Sequence, residues 1–221
     1  MNKELFEQVD NYINALVAVE DDVLKAVHLS IKEANIPAIS ISASQGKFLQ
    51  LFAKLTKATK ILEIGTLAGY STIWLARTLP SNGKLTTIEY SEKHAHVALE
   101  NIRKADLLDL VDLRIGKALT ILPQLAENNE GPFDLIFIDA DKAPYLEYFE
   151  WAIQLSRPGT VIIADNVIRE GKVLDTASKD ENVIGVQKLN DSLKNDPRVF
   201  STIIQTVGLK EHDGMVLAIV Q

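Results

Sequence analysis

The sequence predicts an α/β fold: a doubly wound, mostly parallel sheet with helices before it and an antiparallel hairpin at its end. Three observations predict this. From Lys60 onwards, short runs rich in β-branched residues alternate with segments of helical periodicity, a pattern typical of a parallel sheet covered on both faces. Before Lys60 the apolar residues recur at helical spacing only. The last two apolar runs lie too close together for a crossover helix, so we expect them to pair antiparallel.

Residues 1–58 are predicted to form the helices that precede the sheet. Their first apolar stripe recurs every three or four residues and consists of Leu5, Val9, Tyr12 and Leu16. Two further stripes of the same period run through residues 23–34 and 48–55, which favours an amphipathic helix in each segment. The segment NIPAISISASQG, residues 35–46, breaks the period and is interpreted as a loop.

Residues 59–221 are predicted to form the sheet core, and residues 1–221 together a single domain. The runs expected to be parallel strands are KILEIG (60–65), KLTTIEY (84–90), VDLRIG (111–116), FDLIFID (133–139) and TVIIADN (160–166). VFSTIIQTV and GMVLAIV follow, separated only by GLKEHD. These two runs complete a predicted seven-stranded sheet as its C-terminal hairpin.

Composition narrows the classes of function. The 221 residues include 23 Lys and Arg against 30 Asp and Glu, a net charge of −7, so a uniformly basic nucleic-acid binder is not expected. The chain has no cysteine, which excludes disulfides, thiolate zinc sites and a cysteine nucleophile. No apolar run approaches the ~18 residues of a membrane helix. The N-terminal residues do not resemble a targeting segment, and we expect a cytoplasmic protein.

The first strand-to-helix turn has the features of a nucleoside site. Gly65 ends a strand and Gly69 begins a helix, and glycine lets the backbone approach a ligand closely at both points. The spacing is not the G-x-G-x-x-G of dinucleotide-binding proteins, so an NAD-dependent dehydrogenase is the weakest interpretation. Glu89 ends the second strand, where an acidic side chain accepts hydrogen bonds from both ribose hydroxyls. We predict a nucleoside ligand without a pyrophosphate; the alternative is a tight turn that binds nothing.

Polar residues also follow the fourth and fifth strands. We expect Asp139, Asp165 and Asn166 to converge, because adjacent strands lie ~4.8 Å apart. Two carboxylates and an amide oxygen suit Mg²⁺, Mn²⁺ or Ca²⁺; the alternative is that each residue caps the following helix.

Lys142 follows Asp139 by three residues. It is a candidate general base if it is partly desolvated, and otherwise a solvated surface lysine.

Four segments carry a resemblance to a known family: LEIGTLAGYS, TIE, FDLIFIDADK and RPGTVIIADNV. They resemble the cation-dependent O-methyltransferases, the group of the caffeoyl-CoA and catechol O-methyltransferases, and most of all their small bacterial members. The resemblance extends from about Pro37 to Val220. It implies a Rossmann-like methyltransferase fold with strand order 3-2-1-4-5-7-6, S-adenosylmethionine as the cofactor, a divalent cation, and a homodimer.

The resemblance also implies a role for each site residue. The cofactor would contact Glu63, Gly65, Thr66 and Ser71 at its methionine side, Glu89 at its ribose, Ala118 just after Gly116 near its adenine, Asp139, and the backbone of Ile41. The metal ligands would be Asp139, Asp165 and Asn166. Lys142 matches the catalytic lysine of the family, with Asp139 beside it.

The predicted methyl acceptor is a vicinal diphenol of the catechol or caffeoyl type. Asp141 stands where catechol O-methyltransferases have tryptophan, and the long acyl-CoA-binding insertion of the plant enzymes is not evident. Residues 169–182 are predicted to form a mobile acceptor loop. Two alternatives stay open: a hydroxylated tRNA base as the acceptor, and a nucleotide-binding protein without catalysis.

Overall fold

The computed structural model describes residues 3–208 and 211–221. Within these residues the strands are β1 Lys60–Ile64, β2 Lys84–Glu89, β3 Val111–Ile115, β4 Leu135–Ile138, β5 Val161–Asp165, β6 Val199–Gly208 and β7 Glu211–Val220. The α-helices are α1 Lys3–Val17, α2 Asp22–Glu33, α3 Ala43–Leu55, α4 Tyr70–Ala76, α5 Glu92–Lys104, α6 Ala118–Glu127, α7 Tyr145–Gln154 and α8 Glu181–Ser192. Two short 3₁₀ helices span Arg169–Leu174 and Leu193–Asn195.

The described strands form one sheet in the order β3-β2-β1-β4-β5-β7-β6. β1 to β5 pair in parallel, whereas β7 lies antiparallel between β5 and β6. The predicted fold class, the strand order and the C-terminal hairpin are therefore confirmed. β7 reaches its place next to β5 because it returns directly from β6 and needs no crossover helix.

The sheet separates two apolar cores. Helices α2 to α5 bury residues such as Leu24, Leu49 and Ile102 against one face, and α6 to α8 bury residues such as Phe149 and Leu189 against the other. Burial on both faces explains why the parallel strands are almost continuously apolar. No helix in the described ranges is long and apolar enough to cross a membrane.

Each of the five parallel strands ends one residue earlier than predicted. Gly65, Gly116 and Asn166 directly follow β1, β3 and β5 with φ values of +100°, +148° and +62°. A positive φ does not continue a strand, so the chain turns at these residues. They consequently lie at the carboxyl edge of the sheet and not within it.

The prediction of a loop over residues 35–46 is wrong at its end, because α3 begins at Ala43. Ser42 and Gln45 form a capping box: Ser42 Oγ accepts from the Gln45 N–H at 3.2 Å, and Gln45 Oε1 accepts from the Ser42 N–H at 2.8 Å. Gly46, which favoured a loop, is buried in the helix, where a Cβ would lie 2.5 Å from the Trp74 ring. This glycine therefore reflects close packing of α3 on α4.

Candidate active site

A cavity of about 1130 Å³ opens beyond the carboxyl ends of the parallel strands, the usual position for a ligand in an open α/β sheet. The predicted site residues in its wall are Ile41, Gly65, Thr66, Ser71, Glu89, Gly116, Ala118, Asp139, Lys142 and Asn166. Glu63 and Asp165 are not part of the wall; they are buried behind it, 0% and 2% exposed. One cavity thus collects residues that are far apart in the sequence.

Gly65 lets the turn after β1 pass directly beside the residue that follows β4. A Cβ at Gly65 would lie 2.0 Å from the carbonyl oxygen of Asp139, so no side chain fits there. Asp139 in turn donates its N–H to the carbonyl of Ile64 at 2.9 Å. The two halves of the cavity, the glycine turn and the acidic cluster, are therefore joined through backbone contacts.

Glu63 supports the cavity wall from behind. Its carboxyl group accepts hydrogen bonds from the hydroxyls of Ser71 at 2.6 Å, of Thr87 at 2.7 Å and of Thr72. The Thr87 hydroxyl also lies 2.6 Å from that of Thr66. Burial raises the pKa of Glu63 to about 7, although the three hydroxyls oppose the shift. The family resemblance implies that Glu63 contacts the cofactor, which stays a prediction; in the structure its fully buried carboxyl group holds the hydroxyls of Ser71 and Thr87.

Replacing Glu63 with glutamine is expected to flatten the pH dependence of stability. Because the pKa of Glu63 in the folded protein is raised from 4.5 to about 7, the wild-type protein loses stability as the pH rises through this range. The loss attributable to this one group is about 3 kcal/mol. Chemical denaturation from about pH 5 to about pH 8 measures it. The exposed Glu127→Gln on α6 is the control and should follow the wild type; an equal pH slope in Glu63→Gln would contradict the prediction.

Glu89 organises the turn that follows β1. Its Oε2 accepts from the backbone N–H groups of Leu67 at 2.8 Å and Thr66 at 3.3 Å, and its Oε1 from that of Ser91 at 2.9 Å. His94 on α5, which the sequence analysis missed, lies in the cavity wall with Nδ1 3.4 Å from Glu89 Oε1. Each carboxylate oxygen accepts more than one hydrogen bond. Glu89 therefore holds the turn and retains capacity for a ligand hydroxyl.

Asp139, Asp165 and Asn166 converge where β4 and β5 end. Asp165 accepts from the Asn166 N–H at 2.8 Å, and its pKa is raised to about 7, first by burial and then by the negative charge of Asp139. Among the described residues no three carboxylate or histidine side chains are arranged to hold a metal. Mg²⁺, however, is commonly bound by one or two carboxylates and keeps several waters. Two mutually repelling carboxylates and an amide oxygen fit such an ion.

The alternative role of these acids, as helix caps, is not supported by the geometry. α7 follows Asp139, but its N-cap is Pro144, without a side-chain hydrogen bond. The 3₁₀ helix that follows Asp165 has Ile168 at its N-cap, again without one. Neither carboxylate satisfies a helix N-terminus; Asp139 instead accepts from Lys142, and Asp165 from the backbone N–H of Asn166.

Lys142 is 7% exposed and is not a solvated surface lysine. Its Nζ donates to Asp139 Oδ1 at 3.0 Å and to the Tyr145 hydroxyl at 2.8 Å. The Tyr145 hydroxyl lies 2.6 Å from the carbonyl oxygen of Asp165 and 2.9 Å from that of Ile138. Tyr145, which the sequence analysis missed, thus connects the lysine to the ends of β4 and β5. No sequence signal pointed to it, because Lys142 lies outside α7, which begins at Tyr145.

The segment after β5 is held by an acid from the far end of the chain. Asp213 Oδ1 accepts from the backbone N–H groups of Ile168 at 2.9 Å and Arg169 at 3.0 Å. Arg169 and Glu170 both have a positive φ, +54° and +58°. The predicted acceptor loop therefore begins with an anchored 3₁₀ helix; its mobility stays a prediction. No sequence signal pointed to Asp213, because only the antiparallel pairing of β5 with β7 brings it here.

An antiparallel β7 between β5 and β6 distinguishes this sheet from the all-parallel order of dinucleotide-binding domains. The turn after β1 also lacks their three-glycine fingerprint. The strand order is the one that the family resemblance implies for the Rossmann-like, S-adenosylmethionine-dependent methyltransferases, and the observed fold belongs to that class.

Known proteins specify the family within this class. The model of the O-methyltransferase family matches residues 15–220. A catechol O-methyltransferase of Niastella koreensis is 59% identical over 221 residues, 100% of both chains. The O-methyltransferase from Bacillus cereus in complex with SAH is 50% identical, with a TM-score of 0.96 over 99% of both chains. TomG of Streptomyces achromogenes, solved in complex with SAM, is 43% identical, with a TM-score of 0.97 over 100% of this chain and 99% of its own.

The chain belongs to the O-methyltransferase family. It is an S-adenosylmethionine-dependent enzyme.

Proposed function

We propose that this O-methyltransferase methylates one hydroxyl of a vicinal diphenol. The reaction would use a divalent cation, preferably Mg²⁺, bound by Asp139, Asp165 and Asn166. The observation that carries the proposal is the pair of carboxylates at the ends of β4 and β5, Asp165 buried and Asp139 in the cavity wall, with Lys142 beside them. Ionisable groups are costly to bury, and such clusters in a cavity are typical of functional sites. The name of the Niastella koreensis relative, catechol O-methyltransferase, supports this acceptor class.

The cofactor is proposed to lie over the glycine turn. Gly65, Thr66 and Ser71 would face its methionine side, Glu89 its ribose and Ala118 its adenine, as the cavity wall allows. Ile41 in the loop before α3 would close the same side. Glu63 acts from behind by orienting Ser71, which it binds at 2.6 Å.

Lys142 is proposed to take the proton from the reacting hydroxyl. Its contacts with Asp139 and Tyr145 define the position of Nζ from two sides. The hydroxyl oxygen then attacks the methyl carbon as the S–CH₃ bond breaks and the sulfonium becomes a neutral thioether. When bound, the cation supplies a Lewis acid that lowers the proton affinity of the diol oxygens. Holding two reactants in line contributes roughly 7–11 kcal/mol to lowering such a barrier.

Product analysis by mass spectrometry tests the proposed function. The protein is incubated with S-adenosylmethionine, Mg²⁺ and either catechol, caffeate or bulk tRNA. We expect monomethylated diphenols, and no product when EDTA replaces Mg²⁺. Methylated tRNA with inert diphenols would support a tRNA base as the acceptor. No product from any substrate would support a binding protein without catalysis, and full activity in EDTA would contradict the cation.

A homodimer through α1 is also proposed. The apolar stripe that predicted this helix faces solvent: Tyr12 is 66% and Leu16 60% exposed. α1 packs beside β6, where Ile204 is 43% and Val207 48% exposed. A second copy of the chain would cover an apolar surface that monomers rarely leave exposed.

Tyr12→Glu is therefore expected to convert a dimer into a monomer, because it places a charge in the middle of the apolar stripe. Light scattering coupled to size-exclusion chromatography measures the mass. Leu108→Glu, at another half-exposed apolar position, is the matched control and should stay dimeric. A monomeric wild type, or a dimeric Tyr12→Glu, would contradict the proposal.

A further inference from the structure

Arg169 occupies a strained and firmly held position in the wall of the cavity. It follows Asn166 by three residues and adopts a φ of +54°, a conformation that costs a non-glycine residue about 1 kcal/mol or more. The hydrogen bond from its N–H to Asp213 Oδ1 at 3.0 Å holds this backbone in place. The backbone from which the Arg169 side chain projects is thus fixed in the cavity where the methyl acceptor is proposed to bind.

The guanidinium of Arg169 makes no hydrogen bond or ion pair in the described part of the chain, and its charge interacts with that of Asp180 only at longer range. Its Nε is buried without a hydrogen bond, and no carboxylate of the described residues lies within 4.0 Å of it. A buried donor left unpaired costs about 1–3 kcal/mol. A group that supplies the missing acceptor would recover this free energy.

The neighbouring acids are already engaged. Asp213 Oδ1 accepts from three backbone N–H groups, those of residues 168, 169 and 214. Glu170 pairs with Lys172 at 3.3 Å. Asp180 caps α8 by accepting from the Asn182 N–H at 2.9 Å. The other basic side chain at this end, Lys142, already donates to Asp139. Arg169 therefore remains available for a partner that the described chain does not supply.

We infer that Arg169 binds an anionic group of the methyl acceptor, so that the preferred acceptors are vicinal diphenols that carry a carboxylate. The inference rests on the proposed function. A guanidinium binds a carboxylate through two parallel hydrogen bonds, which a lysine cannot reproduce. The surrounding acids Asp139, Asp141 and Glu170 would repel a negatively charged acceptor. Arg169 would offset this repulsion, so that the site prefers a negatively charged acceptor over a neutral or positively charged one.

Matched acceptors that differ only in charge test the inference: protocatechuate, its methyl ester and the corresponding benzylamine, each with S-adenosylmethionine and Mg²⁺. For the wild type we expect kcat/KM to favour the acid over the ester by about tenfold, the effect of one charge-assisted hydrogen bond. In Arg169→Gln the acid-to-ester ratio should fall to about one, and Arg169→Lys should keep part of the preference. Lys188→Gln, which removes an exposed cation of α8 outside the cavity wall, is the control and should keep the wild-type ratio.

Calorimetry provides a second readout that is independent of turnover. Protocatechuate is titrated into the protein with SAH and Mg²⁺, and Arg169→Gln should weaken its binding by about tenfold without weakening that of the ester. Turnover with a wild-type ratio near one, a ratio unchanged in Arg169→Gln, or a preference for the amine would overturn this inference and leave the proposed function standing. No methylation of any diphenol, catechol included, would overturn both.

Discussion

Replacing Asp165 with asparagine is expected to lower kcat for a catechol by about a thousandfold or more, since a bound cation contributes several kcal/mol to such a reaction. Asparagine keeps the shape of the side chain but removes its charge. It therefore weakens the cation site without opening a hole behind β5. S-adenosylmethionine binding, measured by calorimetry, should change little, because Asp165 is not part of the cavity wall.

Thermal stability separates this loss of function from misfolding. Burial raises the pKa of Asp165 from 3.8 to about 7. The metal-free protein therefore loses stability as the pH rises through this range, because the buried carboxyl ionises less readily than the same group in the unfolded chain. At about pH 8 without metal, Asp165→Asn should melt no lower than the wild type. Mg²⁺ should raise the melting temperature of the wild type and of the exposed Asp175→Asn control, but not that of Asp165→Asn. An equal Mg²⁺ shift in Asp165→Asn would contradict the metal assignment.

Replacing Lys142 with methionine is expected to lower kcat by about 10²–10⁴-fold, the usual contribution of a general base. Methionine fills the space of the buried lysine stem but accepts no proton. The KM for S-adenosylmethionine should stay close to that of the wild type, because Lys142 approaches the acidic cluster and not the glycine turn. Single-turnover rates distinguish the chemical step from product release.

Lys142→Arg makes this test sharper. It keeps a cation next to Asp139, but a guanidinium does not give up its proton in proteins, so it should be almost as slow as Lys142→Met. Lys188→Met, at an exposed position of α8, is the control. A nearly active Lys142→Arg would show that the lysine acts by its charge alone, and would contradict its role as the base.

The polar strand ends could be predicted because of how parallel sheets are built. Buried parallel strands are almost entirely apolar, so the first polar residues after them mark the carboxyl edge, and Asp139 and Asn166 are such residues. The family resemblance added the strand order, which the sheet confirms. Glu63 shows the limit of this reasoning. A strand pattern does not show how deep a side chain lies, and Glu63 is fully buried behind the cavity wall.

Contacts between distant residues could not be predicted from the sequence, because they form only when separate segments of the chain pack together. Gly46 favoured a loop, since its close packing against Trp74 appears only when α3 and α4 are in place. Tyr145 has the composition of an ordinary core aromatic, yet its hydroxyl connects Lys142 to the ends of two strands. Asp213 reaches the segment after β5 only through the pairing of β5 with β7.

The sequence by itself determined the α/β class, the positions of the strands to within three residues, and the set of residue types available for chemistry, because periodicity and turn composition are local properties of the chain. Only the tertiary structure decided which acids lie close together, which ones are buried behind the cavity wall, and that Nε of Arg169 has no hydrogen bond among the described residues. Those outcomes depend on burial and on contacts across the sheet, which arise when separate segments pack together.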